Sequence, residues 1–283
     1  MNRISTAKQV AVISALVEGC SVRSTVRLTG VSKGAILRLL ARVGAACAAY
    51  QAATIRNVAA SRVQIDEIWS FVACKQKNLT EAIREKNPQA GDAWTFVAIE
   101  AQSKLVLSWL VGTRDAGCAT EFLQDVASRI SARIQLTTDG HKMYLSAVED
   151  AFGADIDYAM LQKLYGSDPD GEKRYSPAKC IGVDCKIVQG DPDQKHISTS
   201  YIERQNLTMR MNIRRFTRLT NAFSKKLENH AHSVALFYMH YNFVRIHQSL
   251  RVTPAMEAGL TSHVWSIQDI VELAEPALHS EAA

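Results

Sequence analysis

Apolar positions recur every three or four residues at the start of the chain and every second residue farther on. Residues 6–18 (TAKQVAVISALVE) have helical spacing and predict a first helix. Gly19 punctuates, SVRSTVRLTG predicts a short second helix over residues 21–28, and Gly30 stops it. Ser32 stands where it can cap a third helix, KGAILRLLARVG, whose apolar face is Ile36, Leu37, Leu39, Leu40 and Val43. The Ala-rich AACAAYQAATIRNV predicts more helix. From Ser61 the period shortens. RVQIDEIWSFVACK reads as a strand, QKNLTEAIREKNPQAGD as a polar loop, and AWTFVAIEAQSKLVLSWLVG as two strands joined at Ala101–Lys104. A helix (ATEFLQDVASRI), a strand (RIQLTTD), a helix (KMYLSAVEDAFG) and a strand (IDYAMLQKLYG) follow. Segment 166–197 is rich in Gly, Pro and Asp and predicts an inserted loop or hairpin, expected either to approach nucleic acid or to be a solvent flap. Residues 201–247 are helix-rich. The order predicts an α/β protein with a mixed sheet covered by helices.

Composition narrows the class. The apolar fraction of 47% is ordinary for a globular protein. No stretch approaches the roughly 20 apolar residues of a membrane span, and no signal-peptide core is visible, so a cytoplasmic protein is expected. The six cysteines are scattered, which argues against a disulfide framework. Cys180 and Cys185 are the one close pair and lack partners at zinc-ligand spacing. The net charge is only +5, but the cations are clustered. Arg23, Arg27, Lys33, Arg38 and Arg42 crowd one segment; Arg204, Arg210, Arg214, Arg215, Arg218, Lys225 and Lys226 crowd another. Such clusters are the footprint of a phosphate-backbone binder, or else two solvated helix faces.

The three short helices fit a helix-turn-helix, with Lys33 near the bases at the start of its last helix and Arg38 and Arg42 farther along. A small bundle for protein contacts is the other reading of the same pattern.

Three acids carry the candidate chemistry. Asp66 lies inside an apolar strand-like run, Asp139 ends a second such run, and Glu203 opens the basic helical stretch. A carboxylate is costly to bury unless it is paired or binds a cation. Taken singly, Asp139 before Gly can start a turn, and Glu203 can be an ordinary first-turn helix acid. Taken together, two strand acids and one helix acid can converge on divalent cations, activate water and clamp a phosphodiester.

DEIWSF, TTDGHKMYLSAVE, STSYIERQNLTMRMNIRRFTRLTNAFSKK and YNFVRIHQSLRVTPAMEAGL, in this order over residues 60–262, resemble bacterial insertion-sequence transposases of the insertion-sequence-one type. The resemblance implies a DDE-class enzyme with a ribonuclease-H-like core. It matches Asp66, Asp139 and Glu203 to the three catalytic and metal-binding acids, and Arg210 to the basic residue two helical turns beyond the Glu. It implies two Mg²⁺ ions, with Mn²⁺ an alternative, and double-stranded DNA (element ends and target) as partner. It also implies a homodimer or higher assembly in the DNA complex, no membrane partner, and work in the bacterial cytoplasm at the nucleoid. The paired cysteines that precede the helices in many members have no counterpart here.

The expected layout is a helix-turn-helix DNA-binding domain over 1–45, a helical linker over 46–60, and a ribonuclease-H-like catalytic domain over 61–262 with the insert 166–197. A tail over 263–283 completes it. The expected function is metal-dependent cleavage at insertion-element ends with strand transfer into target DNA. Lys33, Arg38, Arg42, Arg204, Arg210, Arg214, Arg215 and Arg218 are the expected DNA contacts. Two rivals remain: a metal-dependent nuclease that never joins strands, and an inactive DNA-binding regulator derived from a transposase.

Overall fold

The computed structural model describes residues 4–166, 180–217 and 220–275. Six strands form one mixed sheet: β1 (Arg62–Val72), β2 (Gly91–Glu100), β3 (Val106–Gly112), β4 (Ile134–Thr138), β5 (Ile156–Tyr165) and β6 (Cys180–Gln189). Their spatial order is β3-β2-β1-β4-β5-β6. β2 runs antiparallel to its neighbours β1 and β3, β4 and β5 lie parallel to β1, and β6 returns antiparallel on β5. The order and directions are compatible with a ribonuclease-H-like core.

Helices cover both faces, because β1 and β2 are apolar on both. Val63 and Ile65 belong to a core that includes Phe122 and Val126 of α5 (Ala116–Arg129) and Tyr144 and Ala147 of α6 (Met143–Phe152). Ile68 belongs to a second core with Ile202 and Met209 of α7 (Ser200–Asn212) and Val234, Phe237 and Tyr238 of α8 (Leu227–Met239). Alternation along β1 therefore sends odd and even positions to different helix layers. The β2–β3 turn is tied by Glu100, whose Oε2 accepts from the backbone N–H of Gln102 at 2.9 Å and Ser103 at 2.6 Å.

Three helices precede the sheet: α1 (Thr6–Val17), α2 (Val22–Thr29) and α3 (Lys33–Thr54). The Ser21 and Ser32 hydroxyls cap α2 and α3, and Gly30 closes α2 in the left-handed conformation (φ 68°) that glycine adopts without strain. The expected third helix and the Ala-rich stretch after it are one continuous α3. It lies along α8, and the buried side chains of α1 and α3 are continuous with the sheet's first core.

Three segments depart from the periodicity reading. The polar loop after β1 contains α4 (Glu81–Lys86), capped by Thr80. The insert contributes β6, hydrogen-bonded along β5; its residues 167–179 lie outside the described residues. The helix-rich stretch breaks after Asn212, and a π-helical turn (His240–Val244) follows α8. Two short helices end the described chain: α9 (Pro254–Glu257) and α10 (Ile267–Glu272), the latter packed on α1.

Candidate metal centre

The parallel ladder between β1 and β4 ends at Gln64↔Thr137. Two residues farther on, Asp66 and Asp139 stand level where the strands part. An oxygen of Asp66, one of Glu67 and one of Asp139 all lie within 4.8 Å of one another. Asp66 and Asp139, two acids expected at one site, are therefore together. Glu67 joins them, although it did not stand out from the sequence.

Each carboxylate is held from a different element. Asp66 Oδ1 accepts from the Glu67 backbone N–H at 2.8 Å, and Oδ2 accepts from Asn206 Nδ2 of α7 at 2.8 Å. Asp139 Oδ1 accepts from the His141 N–H at 3.0 Å. Glu67 is buried on the α6 side near Tyr144, and Arg114 Nη2 reaches its Oε2 at 3.2 Å. The same Arg114 nitrogen lies 3.8 Å from Asp139 Oδ2, and its guanidinium sits 4.5 Å from the centre of the Trp94 ring. Arg114 thus places one fixed positive charge against two of the three acids.

Charge crowding is the site's main electrostatic property. Burial pushes Asp66 up to about 7; the Glu67 N–H opposes the rise, and the charges of Glu67 and Asp139 add to it. Glu67 is also held above the usual range, first by burial and then by Asp139, with the Tyr144 hydroxyl and Arg114 countering. Glu67 Oε1 and Tyr144 Oη are both buried, and neither completes a hydrogen bond of standard geometry. Three oxygen donors crowd together in mutual repulsion, and one of them has an unused buried oxygen. The trio can hold a metal ion.

Glu203 occupies the first turn of α7, three residues before the Asn206 that meets Asp66, but it is not within the carboxylate cluster. Lys163 of β5 donates to its Oε2 at 2.5 Å, and Thr199 Oγ1 donates to its Oε1 at 2.7 Å. Helix α7 itself is docked on β1 by Gln64, whose Oε1 accepts from the N–H of Tyr201 at 2.9 Å and Ile202 at 3.1 Å. These are first-turn donors that the helix cannot satisfy itself.

The expected DNA contacts divide. Lys33 and Arg38 on α3, Arg204 on α7 and Arg214 are exposed. Arg42 is engaged within the chain, donating to Gln9 and lying 3.9 Å from Glu275. Arg215 is turned inward onto Ser224 Oγ at 3.0 Å. Arg210 is half-buried in the last turn of α7. Arg218 lies outside the described residues. Asn206, Arg114 and Lys163, which hold the acids, stood in no motif.

Fold and site together define an α/β protein with an acidic, metal-competent centre at the parting of two parallel strands. No protein-family profile matches the chain, and no curated protein matches it by sequence. Among solved structures, a cryo-EM piggyBac transposase synaptic complex with hairpin DNA is similar at a TM-score of 0.30 and 9% identity. The match covers 89% of this chain and 56% of that one, so the chain spans little more than half of that protein's length. So distant a likeness carries no argument about chemistry.

Proposed function

We propose that the chain is a DNA transposase of the DDE class, on a ribonuclease-H-like core. It cuts at the ends of a mobile element and joins the freed 3′-hydroxyls to target DNA. The observation that carries the reading is the meeting of Asp66, Glu67 and Asp139 beside the helix that bears Glu203. The sequence resemblance to insertion-sequence-one transposases supports the same assignment. Two Mg²⁺ ions, or Mn²⁺, would supply an acidified nucleophile and neutralise the phosphodiester's charge.

The chain's own residues do the rest. Asp66 and Asp139 present oxygens to the cations, and Asn206 fixes the Asp66 carboxylate. Arg114 balances Glu67 and Asp139 before a cation arrives. Glu203 is the third acid, and without cations it pairs with Lys163. Arg204 and Arg214 bind backbone phosphates without reading sequence, whereas Lys33 at the start of α3 and Arg38 farther along it approach base edges in the major groove. Joining two element ends calls for at least two copies.

The test is purified protein with linear DNA carrying the element ends, in Mg²⁺. Asp66→Asn and Asp139→Asn should each abolish cleavage and joining, and Glu203→Gln should do the same. Cleavage unaltered by all three changes sinks the reading. Cleavage with no joined product from the wild-type chain would make it a nuclease instead.

A further inference from the structure

The two basic clusters, far apart in sequence, meet at one cavity of about 920 Å³. Arg23 and Lys33 reach it from the N-terminal helices; Arg214, Arg215, Lys225 and Lys226 reach it from the segment between α7 and α8. Among the described residues, no Asp or Glu lines it. Between the cations the wall is apolar, formed by Leu37 and Leu40 of α3 and Leu236 and Phe237 of α8. The volume lies in the range of sites that enclose a small organic ligand.

Among the described residues, no carboxylate of the cavity lining balances these cations. Arg215 meets a hydroxyl, Ser224 Oγ, rather than a carboxylate, and burial lowers its guanidinium to about 10. Lys225 is held below its ordinary value by burial and then by the charge of Lys33 across the cavity. Its ammonium sits 3.6 Å from the centre of the Phe223 ring. Like charges gathered around one cavity repel one another until an anion joins them. The apolar wall asks that the same ligand also carry a flat or greasy group.

A stacked duplex keeps its bases inside, where the apolar wall cannot reach them. An unpaired nucleotide offers phosphate and base together, the combination that sites for single strands recognise through cations and apolar or aromatic surface. We propose that this cavity takes an unpaired nucleotide of a DNA strand, its phosphate on Arg215, Lys225 and Lys226 and its base against the α3–α8 wall. The choice of DNA rests on the function proposed above; the charge and shape of the cavity do not.

The experiment is fluorescence anisotropy on the full chain in EDTA, so that no strand is cut. The probes are an oligothymidylate of about eight nucleotides, a blunt duplex, and dTMP as competitor. The double change Lys225→Glu with Lys226→Glu, and separately the cavity-filling Ala222→Trp, should each weaken oligothymidylate binding about tenfold or more. Duplex binding should fall much less. The lysines are exposed, so the double variant should keep its thermal midpoint. Asp66→Asn should bind the oligomer as the wild type does, which separates this site from the cleavage chemistry. Unchanged oligomer affinity in the lysine variant overturns the proposal. So does dTMP binding as tightly as the oligomer, which would give the cavity to a free nucleotide.

Discussion

Asp66 keeps its proton to about pH 7, whereas an ordinary aspartic acid loses it near 3.8. Between those values the folded chain binds a proton that the unfolded chain has released. In the metal-free protein this term therefore lowers stability as pH rises through the window, and the loss is complete above it. Asp66→Asn removes the ionisation, and the variant's advantage over wild type in EDTA should grow from pH 4 to pH 7, reaching about 4 kcal/mol. Comparing the two chains also cancels His230, whose burial depresses its pKa to about 3 and makes stability rise with pH below 6.5. Mg²⁺ should erase the advantage; a gap in denaturation midpoints that ignores both pH and Mg²⁺ would contradict the account. Arg114 does electrostatically what a bound cation would do. Arg114→Gln should cost about 1 kcal/mol in EDTA, since the pair is partly exposed. The rise in thermal midpoint on adding Mg²⁺ should be larger in the variant than in the wild type, and an equal rise would deny Arg114 that role. Asp66 and Asp139 were legible because each interrupts or ends an apolar run. Glu67 was not, because strand alternation points it away from Asp66, and only the parting of β1 and β4 at Asp139 brings both within reach. Arg114 and Asn206 arrive from distant turns and helices, which no local pattern encodes.

The elements that periodicity revealed are those whose partners lie on one side or both sides of a regular layer. β1 through β5 and α5 and α6 fall within a few residues of where the alternation placed them. Elements set by long-range pairing were hidden. β6 has mostly exposed side chains and owes its form to β5, and α7 ends at Asn212 although helix-forming residues continue. The continuity of α3 was likewise invisible, because its reason is α8. Gly44 of α3 shows how close the two helices come. A methyl group at that position would lie 2.5 Å from His232 Cβ and 2.7 Å from the His232 carbonyl oxygen. Alanine gains about 1 kcal/mol of helix propensity over glycine. Overpacking against rigid backbone costs about 1–3 kcal/mol. Backbone cannot yield as a side-chain tip can, so the clash should win. Gly44→Ala should lower the urea midpoint, with a net loss of about 1–2 kcal/mol. A stabilised variant would mean that α3 and α8 are free to separate.

At the scale of the whole molecule, the N-terminal helices and the sheet are parts of one packing problem. Ile36, Leu40, Val43 and Cys47 of α3 share a core with Ala235, Leu236 and Met239 of α8, and Arg129 of α5 donates to the carbonyls of Gln51 at 3.2 Å and Ile55 at 3.4 Å. Gln51 donates in turn to Ala235 O at 3.1 Å. Cutting the chain after residue 54 would expose that apolar face and leave several of these buried polar groups without partners, losses that rival the whole stability of an ordinary domain. A fragment of residues 55–283 should therefore be insoluble or unfold without a cooperative transition, and residues 1–54 alone should show no cooperative melt. The measurement is a denaturant titration followed by circular dichroism on each piece. If residues 61–262 alone unfold cooperatively, the N-terminal helices are a separable attachment and the shared core is incidental. If they do not, the exposed cations of α3 and those near α7 are fixed relative to the acidic centre by one rigid core. DNA held by the first would then be presented to the second at a set distance, without the search that a flexible tether imposes.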